Sequence, residues 1–140
     1  MDGAKILHAS AVALNGAAVC ICGASGTGKS ALALQLMAFG AELISDDGCR
    51  IWVESQNLWV GAPATIRGKI EARGVGILNA VPAPPARLEL WVDLDQTEEH
   101  RLPPQRQKVY LGVSRPIVHN AHAQHFAAAI LQFLKAGRHA

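Results

Sequence analysis

Aromatic residues, net charge and cysteines are all scarce in this chain of 140 residues. Phe, Trp and Tyr make up 5% of it, so a core must be built mainly from Ala, Val, Leu and Ile. The formal net charge of +2 is too small to argue for a nucleic acid or an anionic membrane as partner. The three cysteines lack the number and spacing of a zinc site. Cys20 and Cys22 share one face of a predicted strand and Cys49 stands alone near a turn, which is typical of buried structural thiols in a reducing compartment.

Long apolar runs are also missing, and none approaches the roughly 20 residues that a membrane-spanning helix needs. The N-terminal segment resembles a signal peptide, but His8, Ser10 and Asn15 interrupt its apolar part. We therefore expect a cytoplasmic protein. The length suits one compact domain over residues 1–140, and the sequence shows no internal repeat or low-complexity tract.

One stretch, GASGTGKS, fits the pattern G-x-x-x-x-G-K-[ST] at every fixed position. It follows an apolar run, residues 17–22, that predicts a buried strand, and it precedes residues 31–39, which predict a helix ended by Gly40. Backbone N–H groups of such a loop surround phosphate oxygens, the lysine reaches the outer phosphates, and the last hydroxyl can bind Mg²⁺. A glycine-rich turn that matches by chance is the alternative, which the flanking strand and helix disfavour. The predicted phosphate-binding residues are Gly23, Ala24, Ser25, Gly26, Thr27, Gly28, Lys29 and Ser30.

Two polar features are expected near this loop. Asn15-Gly16 predicts a hairpin turn between strands at residues 5–14 and 17–22, which places His8 on the loop side, either as an ordinary residue or as a site group that carries charge near neutral pH. Asp46 and Asp47 directly follow a short apolar strand. They are either a polar turn or, in a phosphoryl-transfer site, one group near Mg²⁺ and one that accepts a hydroxyl proton.

The remaining pattern predicts scaffold and loops. Residues 51–53 and 58–60 form a hairpin with Trp52 and Trp59 as cross-strand neighbours. The mixture of glycines and charges in residues 65–78 predicts a loop that approaches a ligand. Alternation in residues 87–94 predicts a half-exposed strand, with Leu88, Leu90, Val92 and Leu94 on one face. We also expect a mobile loop at 95–107, a short strand at 109–113, and a helix at 120–134 that Asn120 caps.

Three histidines, His119, His122 and His125, recur every third residue near that helix. They are either an accidental polar stripe or, less favoured because a matching acidic or cysteine ligand is missing nearby, a metal site on one helix face.

Taken together, the loop, the Asp pair and the Glu71 stretch resemble the catalytic domain of HPr kinase/phosphorylase. That family's signature, I-E-x-R-G-x-G-I, stands here as Ile70-Glu71-Ala72-Arg73-Gly74-Val75-Gly76-Ile77. Its Asp pair is matched by Asp46-Asp47, and a histidine upstream of the loop is matched by His8. The resemblance is strong over residues 8–80 and weaker beyond them.

The resemblance implies a kinase that uses ATP and Mg²⁺ to phosphorylate a serine of HPr, the phosphocarrier of the phosphotransferase system, and that can run the reverse phosphorolysis with inorganic phosphate. Asp46 would be the general base, assisted by Asp47 and His8. Glu71 and Ser30 would hold Mg²⁺. Arg73 and Lys29 would stabilise the phosphates, and Arg101 corresponds to an arginine tied to dephosphorylation.

The resemblance further implies a mixed α/β fold: a single P-loop kinase domain with its sheet around the phosphate-loop helix. We expect a short form without the N-terminal domain of long family members, and a homo-oligomer, because the long forms are hexamers. A P-loop kinase of small molecules and a non-catalytic nucleotide-binding regulatory module are the rival hypotheses.

Overall fold

The computed structural model describes residues 3–140. These residues form eleven strands, two α-helices and one 3-10 turn at Ala64–Ile66. The strands are β1 (Lys5–Leu7), β2 (Ala9–Leu14), β3 (Ala17–Cys22), β4 (Glu42–Ser45), β5 (Cys49–Glu54), β6 (Asn57–Gly61), β7 (Lys69–Ala72), β8 (Gly76–Asn79), β9 (Ala86–Thr97), β10 (Arg106–Tyr110) and β11 (Val113–Asn120). The helices are α1 (Lys29–Ala38) and α2 (Phe126–Ala136).

Nine of these strands, counted over residues 3–140, form one mixed sheet, and β7 and β8 form a separate hairpin. Strand β9 is the centre of the sheet. It runs parallel to β3, while its other edge pairs first with β6, antiparallel, and then with β11, parallel. Because β3 and β9 are parallel, the loop that leaves β3 and the carboxyl end of β9 lie side by side, with Cys22 opposite Asp93.

The sheet is buried on both faces. Helices α1 and α2 cover one face, where Leu36 and Ile130 pack against Val19 and Leu90. The sheet curls around the other face, where β5 and β6 bring Ile51 and Leu58 against Trp91. This mixed α/β architecture confirms the predicted fold class. Neither helix in the described part of the chain is long and apolar enough to cross a membrane.

The two hairpins predicted from turn signals are confirmed. Asn15 and Gly16 both adopt positive φ, 51° and 79°, as a two-residue hairpin turn requires. Trp52 and Trp59 are register partners across β5 and β6. The long first strand is, however, interrupted at His8, because β1 leaves the β2–β3 pair and pairs with β5 instead.

The prediction of a loop at residues 65–78 is wrong over most of its length. Residues 69–72 alternate between exposed and buried, with Ile70 and Ala72 inside, and they pair with β8 as a hairpin. Gly74 has φ 84° in the connecting turn. Of the charged residues that suggested a loop, Lys69 and Glu71 lie on the exposed face of this hairpin, Arg73 lies in its turn, and Arg67 precedes it.

The prediction of a half-exposed β9 is also wrong. A register irregularity lies between the pairs Ala18–Leu88 and Val19–Leu90. It reverses the alternation, so Leu88 and Trp91 face the curled side whereas Leu90 and Val92 face the helices. The strand continues to Thr97, three residues beyond its predicted end.

The C-terminal third departs most from expectation. The predicted strand at 109–113 is the turn region of a hairpin, since β10 ends at Tyr110, Leu111 and Gly112 have φ 49° and 79°, and β11 begins at Val113. Asn120 ends β11 instead of capping a helix. Its side-chain oxygen accepts a hydrogen bond from the His122 N–H, and His122 has φ 50°, so α2 begins at Phe126.

The predicted mobile loop is reduced to residues 98–105 and is held by Glu98. That carboxylate accepts hydrogen bonds from Arg106 Nη2 at 3.0 Å and from His100 Nδ1 at 3.1 Å. The hydrogen bonds from Arg106, followed by those from His100, lower the pKa of Glu98 to about 2. Arg138 also donates to the backbone carbonyls of Pro103 and Pro104, which ties the loop to the C-terminal segment.

Replacing Leu90 by Ala should destabilise the domain by about 3 kcal/mol, because Leu90 is fully buried on the helix side of the central strand. The matched variant Leu102→Ala alters an exposed side chain and should change the free energy of unfolding by less than about 0.5 kcal/mol. Urea unfolding of both variants measures the difference. Equal losses would contradict the assignment of β9 to the core.

The Glu98 cluster predicts a specific acid sensitivity. Since its folded-state pKa lies below the ordinary value of 4.5, the charged Glu98 stabilises the domain above pH 4.5, and this stability is lost as the pH falls through about 2. Glu98→Gln should therefore be less stable than the wild type at neutral pH, and the difference should shrink in acid. Unfolding measured against pH, with the exposed neighbour Glu99→Gln as control, tests this; a difference independent of pH would contradict it.

Candidate functional site

The phosphate-loop motif forms the bend between β3 and α1. Gly23 has φ 153°, and a Cβ placed there would lie 2.6 Å from Thr27 Oγ1. Gly28, with φ 101°, precedes the first residue of α1. Both positions therefore require glycine, and the bend directs the N–H groups at the start of α1 toward the space above the loop.

Lys29 lies against this loop. Its side chain is 6% exposed, and Nζ donates to the carbonyl oxygens of Gly23, at 2.8 Å, and Ala24, at 3.2 Å. The ammonium group is thus held at the mouth of the loop, where the charge of a phosphate would be neutralised.

Asp46, at the end of β4, is where several elements meet. Its Oδ1 accepts hydrogen bonds from Ser30 Oγ at 2.6 Å and from Ser10 Oγ at 2.9 Å, and its Oδ2 accepts one from the Glu71 N–H at 3.0 Å. The donors come from α1, β2 and β7. One half-buried carboxylate therefore joins the phosphate loop to two separate strands.

Asp47, the next residue, is placed differently. It has φ 60°, its N–H donates to Ser10 Oγ at 3.1 Å, and its carboxylate is hydrogen-bonded to His8 Nε2. The side chains of His8 and Asp47 are 55% and 62% exposed. Asp46 therefore turns inward and Asp47 turns outward, although the two are adjacent in sequence.

A cleft of about 670 Å³ opens beside these residues. The loop and α1 form one wall, the Asp pair the floor, and the β7–β8 hairpin the opposite wall. The residues that line it are Ser25, Gly26, Gly28, Lys29, Ser30, Ala31, Leu34, Asp46, Asp47, Glu71, Ala72, Arg73 and Val75. This volume lies within the range of small-molecule sites.

The cleft brings together most of the residues predicted from sequence. Gly23, Ala24 and Thr27 belong to the loop backbone behind the lining, and His8 reaches the cleft through Asp47. Arg101 is exposed on the loop at 98–105 and lies outside this lining. Its role in dephosphorylation stays a prediction.

The oxygen atoms around Ser30 fit Mg²⁺ chemically. Within residues 3–140, three or more His, Cys, Asp or Glu side chains nowhere form a ready-made metal cluster. Mg²⁺ does not require one, because it commonly keeps several waters and uses one or two carboxylates together with substrate phosphates. Ser30, Asp46 and Glu71 all line the cleft and carry oxygen atoms of this kind. Among the three regularly spaced histidines near the C-terminus, His119, His122 and His125, the ring of His122 is hydrogen-bonded to the Thr97 hydroxyl.

Two residues of the site were missed by the sequence reasoning. Ser10 is fully buried and contacts both members of the Asp pair. Asp95, assigned to a mobile loop, accepts a hydrogen bond from the Ala24 N–H at 3.0 Å and is itself held by Asp93. The sequence signal for Asp95 was its position directly after the predicted strand at 87–94. This position is informative only once that strand, β9, is known to run parallel to β3, the strand that leads into the loop.

The three thiols lie beneath the loop, and each is free. Hydrogen bonds with Cys22 and Cys49, followed by burial, raise the pKa of Cys20. The hydrogen bond from Cys20, with help from the Lys108 and Lys29 charges, lowers the pKa of Cys22. Cys49 lies directly after the turn at 46–48, as expected, but it does not stand alone, because the curled sheet brings it next to Cys20 in the same core cluster.

A strand, a glycine-rich loop and a helix N-terminus, with a carboxylate pair beside them, define an α/β domain with the motif that is typical of phosphate-binding proteins. The sequence profile of the HPr Serine kinase C-terminal domain matches residues 2–101. The chain belongs to that family, which confirms the resemblance seen in the sequence.

Individual relatives agree with this assignment. The chain is 42% identical to the HPr kinase/phosphorylase of Bacillus subtilis over 76 residues, which is 54% of this chain and 24% of that protein. It is 34% identical to the HPr kinase/phosphorylase of Geobacillus thermodenitrificans over 115 residues, 76% of this chain and 36% of that protein. The chain therefore spans only about a quarter to a third of the length of these relatives.

A solved structure shows the same fold. The Hpr(Ser) kinase/phosphatase from Coxiella burnetii matches with a TM-score of 0.78 over 94% of each chain, at 21% sequence identity. At this identity the match supports the architecture alone.

Replacing Gly23 by Ala should weaken nucleotide binding by roughly tenfold or more, because the new Cβ would displace Thr27 Oγ1 and distort the loop. Titration calorimetry with ATP and Mg²⁺ measures the effect. Gly16→Ala is the matched control: its φ of 79° imposes a similar strain on a hairpin turn at the other end of β3 from the loop, so it should cost stability without changing nucleotide affinity. Unchanged affinity in Gly23→Ala would contradict the assignment of the loop.

Proposed function

We propose that this domain is an ATP- and Mg²⁺-dependent protein serine kinase that phosphorylates HPr or an HPr-like phosphocarrier of the phosphotransferase system. The observation that carries the proposal is the hydrogen bond between Ser30 of the loop and Asp46, the residue that follows β4. It joins the hydroxyl that would face Mg²⁺ to the turn whose next residue, Asp47, would face the acceptor hydroxyl. Membership of the HPr kinase family and the names of the relatives supply the substrate.

The proposed roles follow from where each side chain lies. Backbone N–H groups of the loop and Lys29 would hold the phosphates, and Arg73, on the opposite wall, would stabilise charge on the transferring group. Ser30, Asp46 and Glu71 would hold Mg²⁺, directly or through water. The ion, when bound, supplies neutralisation of the charge that develops on the phosphate oxygens.

We assign the base differently from the expectation that the family resemblance gave. Both Asp46 oxygens already accept hydrogen bonds from the loop, β2 and β7, which hold that carboxylate on the metal side. Asp47 is exposed to the cleft, and its contact with His8 would orient it. In this proposal Asp47 takes the proton of the serine hydroxyl, the seryl oxygen bonds to the γ-phosphorus, and the bond from that phosphorus to ADP breaks.

Phosphorolysis would run the same geometry backwards. An oxygen of inorganic phosphate would bond to the phosphorus of phosphoserine, the bond to the seryl oxygen would break, and Asp47 would return its proton to that oxygen. Pyrophosphate and free serine would result. Arg101 would take part only if the loop at 98–105 approached the cleft when the partner binds.

We also propose that residues 1–140 act as one domain, in the cytoplasm and as a homo-oligomer. These proposals rest on the composition and on the family resemblance.

The direct test is to incubate the protein with ATP, Mg²⁺ and the host's HPr and to measure the mass of the HPr. We expect the gain of one phosphoryl group, mapped to a serine by peptide sequencing. HPr with that serine changed to Ala is the control. A P-loop kinase of small molecules would consume ATP with a metabolite and leave HPr unmodified, and a regulatory module would bind ATP without turnover.

Two variants separate the carboxylates. Asp47→Asn should lower kcat on the order of a thousandfold, since a general base contributes about 10²- to 10⁴-fold, while ATP affinity and the Mg²⁺ requirement stay unchanged. Asp46→Asn should instead raise the Mg²⁺ concentration needed for half-maximal rate. Steady-state kinetics against Mg²⁺ distinguishes the two. The reverse pattern would return the role of base to Asp46.

A further inference from the structure

Ser10 stands out on β2 as a polar residue in an apolar strand. It is fully buried, and its sequence neighbours are Ala9, Ala11 and Val12. Ala9 and Ala11 face the curled side of the sheet, whereas Val12 faces the helices, so alternation places Ser10 on the helix side, beneath the start of α1. A hydroxyl in such a position costs free energy unless it is hydrogen-bonded.

The Ser10 hydroxyl makes two hydrogen bonds, both to the Asp pair. It donates to Asp46 Oδ1 at 2.9 Å and accepts the N–H of Asp47 at 3.1 Å. One contact fixes the orientation of a side chain and the other fixes a backbone group. Ser10 is thus the one described residue whose side chain bonds to both aspartates.

The backbone contact matters because of the conformation of Asp47. This residue has φ 60°, which is uncommon for a residue other than glycine and is costly unless its surroundings enforce it. The turn gives the side chain its direction toward His8. If the N–H of Asp47 lost its acceptor, the turn could relax, and the carboxylate would leave the position in which it meets the substrate hydroxyl.

We propose that Ser10 is a positioning residue of this site: its buried hydroxyl sets the inward orientation of Asp46 and the outward orientation of Asp47 at the same time. The inference rests on the proposed phosphoryl transfer. It means that a residue of β2 gives two adjacent carboxylates different orientations, and therefore different functions.

The test is a set of variants with intact loop residues. Ser10→Ala should lower kcat roughly tenfold, because the Asp47 N–H loses its acceptor and Asp46 loses one donor, and should leave ATP affinity within about twofold of the wild type. Ser10→Thr keeps the hydroxyl on a side chain suited to a strand and should restore most of the rate. The control is Cys49→Ala, which removes a buried hydrogen bond to Ala9 on the opposite face of β2 and should leave kcat unchanged.

A double-mutant cycle with Asp47→Asn separates positioning from general destabilisation. If Ser10 acts through the direction of Asp47, adding Ser10→Ala to Asp47→Asn should change kcat by less than about twofold, although its effect on the unfolding midpoint persists. Full additivity of the two effects on kcat, or an unchanged rate in Ser10→Ala alone, would overturn the inference.

The same cycle distinguishes this inference from the proposed function. If the wild type leaves HPr unmodified, the proposed substrate is wrong, and the cycle is then measured on the ATP turnover that the protein shows with other acceptors or water. Non-additivity there supports the role of Ser10, and additivity or absence of turnover overturns it.

Discussion

The hydrogen bonds that converge on Asp46 are the interaction on which the rest of the site depends. They connect Ser30 at the start of α1, Ser10 within β2 and the backbone of Glu71 in β7, three elements separated widely in sequence. A half-buried carboxylate is costly without such donors, so the burial of Asp46 and the approach of these elements stabilise each other. As a result, the phosphate loop, the turn that contains Asp46 and Asp47, and the β7–β8 hairpin are held in fixed positions relative to one another.

The central parallel pair of strands supplies the second constraint. Since β3 and β9 run in the same direction, the phosphate loop and the acidic end of β9 emerge at one edge of the sheet, and Asp95 reaches the backbone of Ala24. The loop is therefore held from two sides: by Lys29 and α1 above it, and by β9 beside it. Because the loop is held in this way, its N–H groups and the Lys29 ammonium would need little rearrangement when charge develops on a phosphate.

Asp46 and Asp47 are adjacent in sequence but point in opposite directions, and this is the most instructive feature of the site. Asp46 and Asp47 have the same side chain, yet one is committed to donors inside the protein and the other is exposed beside His8. A positive φ at the second residue is what separates them. Sequence motifs contain the pair as a unit, whereas the different positions of its two carboxylates depend on this local turn and on the hydrogen bonds that the buried Ser10 hydroxyl makes to both residues.

The sequence was enough to predict the strand–loop–helix unit of the glycine-rich motif, the Asn15-Gly16 hairpin, the mixed α/β class and the family, because each depends on local residue types at fixed spacing. The sequence alone misplaced three elements. The β7–β8 hairpin was missed because its exposed face is charged, and the faces of β9 were wrong because of a bulge in its pairing with β3. The start of α2 was wrong because the Asn120 side chain forms a turn with the N–H of His122. The sequence could not reveal Ser10 or Asp95, which are ordinary residues until their partners are brought near. Which aspartate faces inward is visible in the folded chain alone, because the inward position of Asp46 depends on hydrogen bonds to residues as far as 36 positions away.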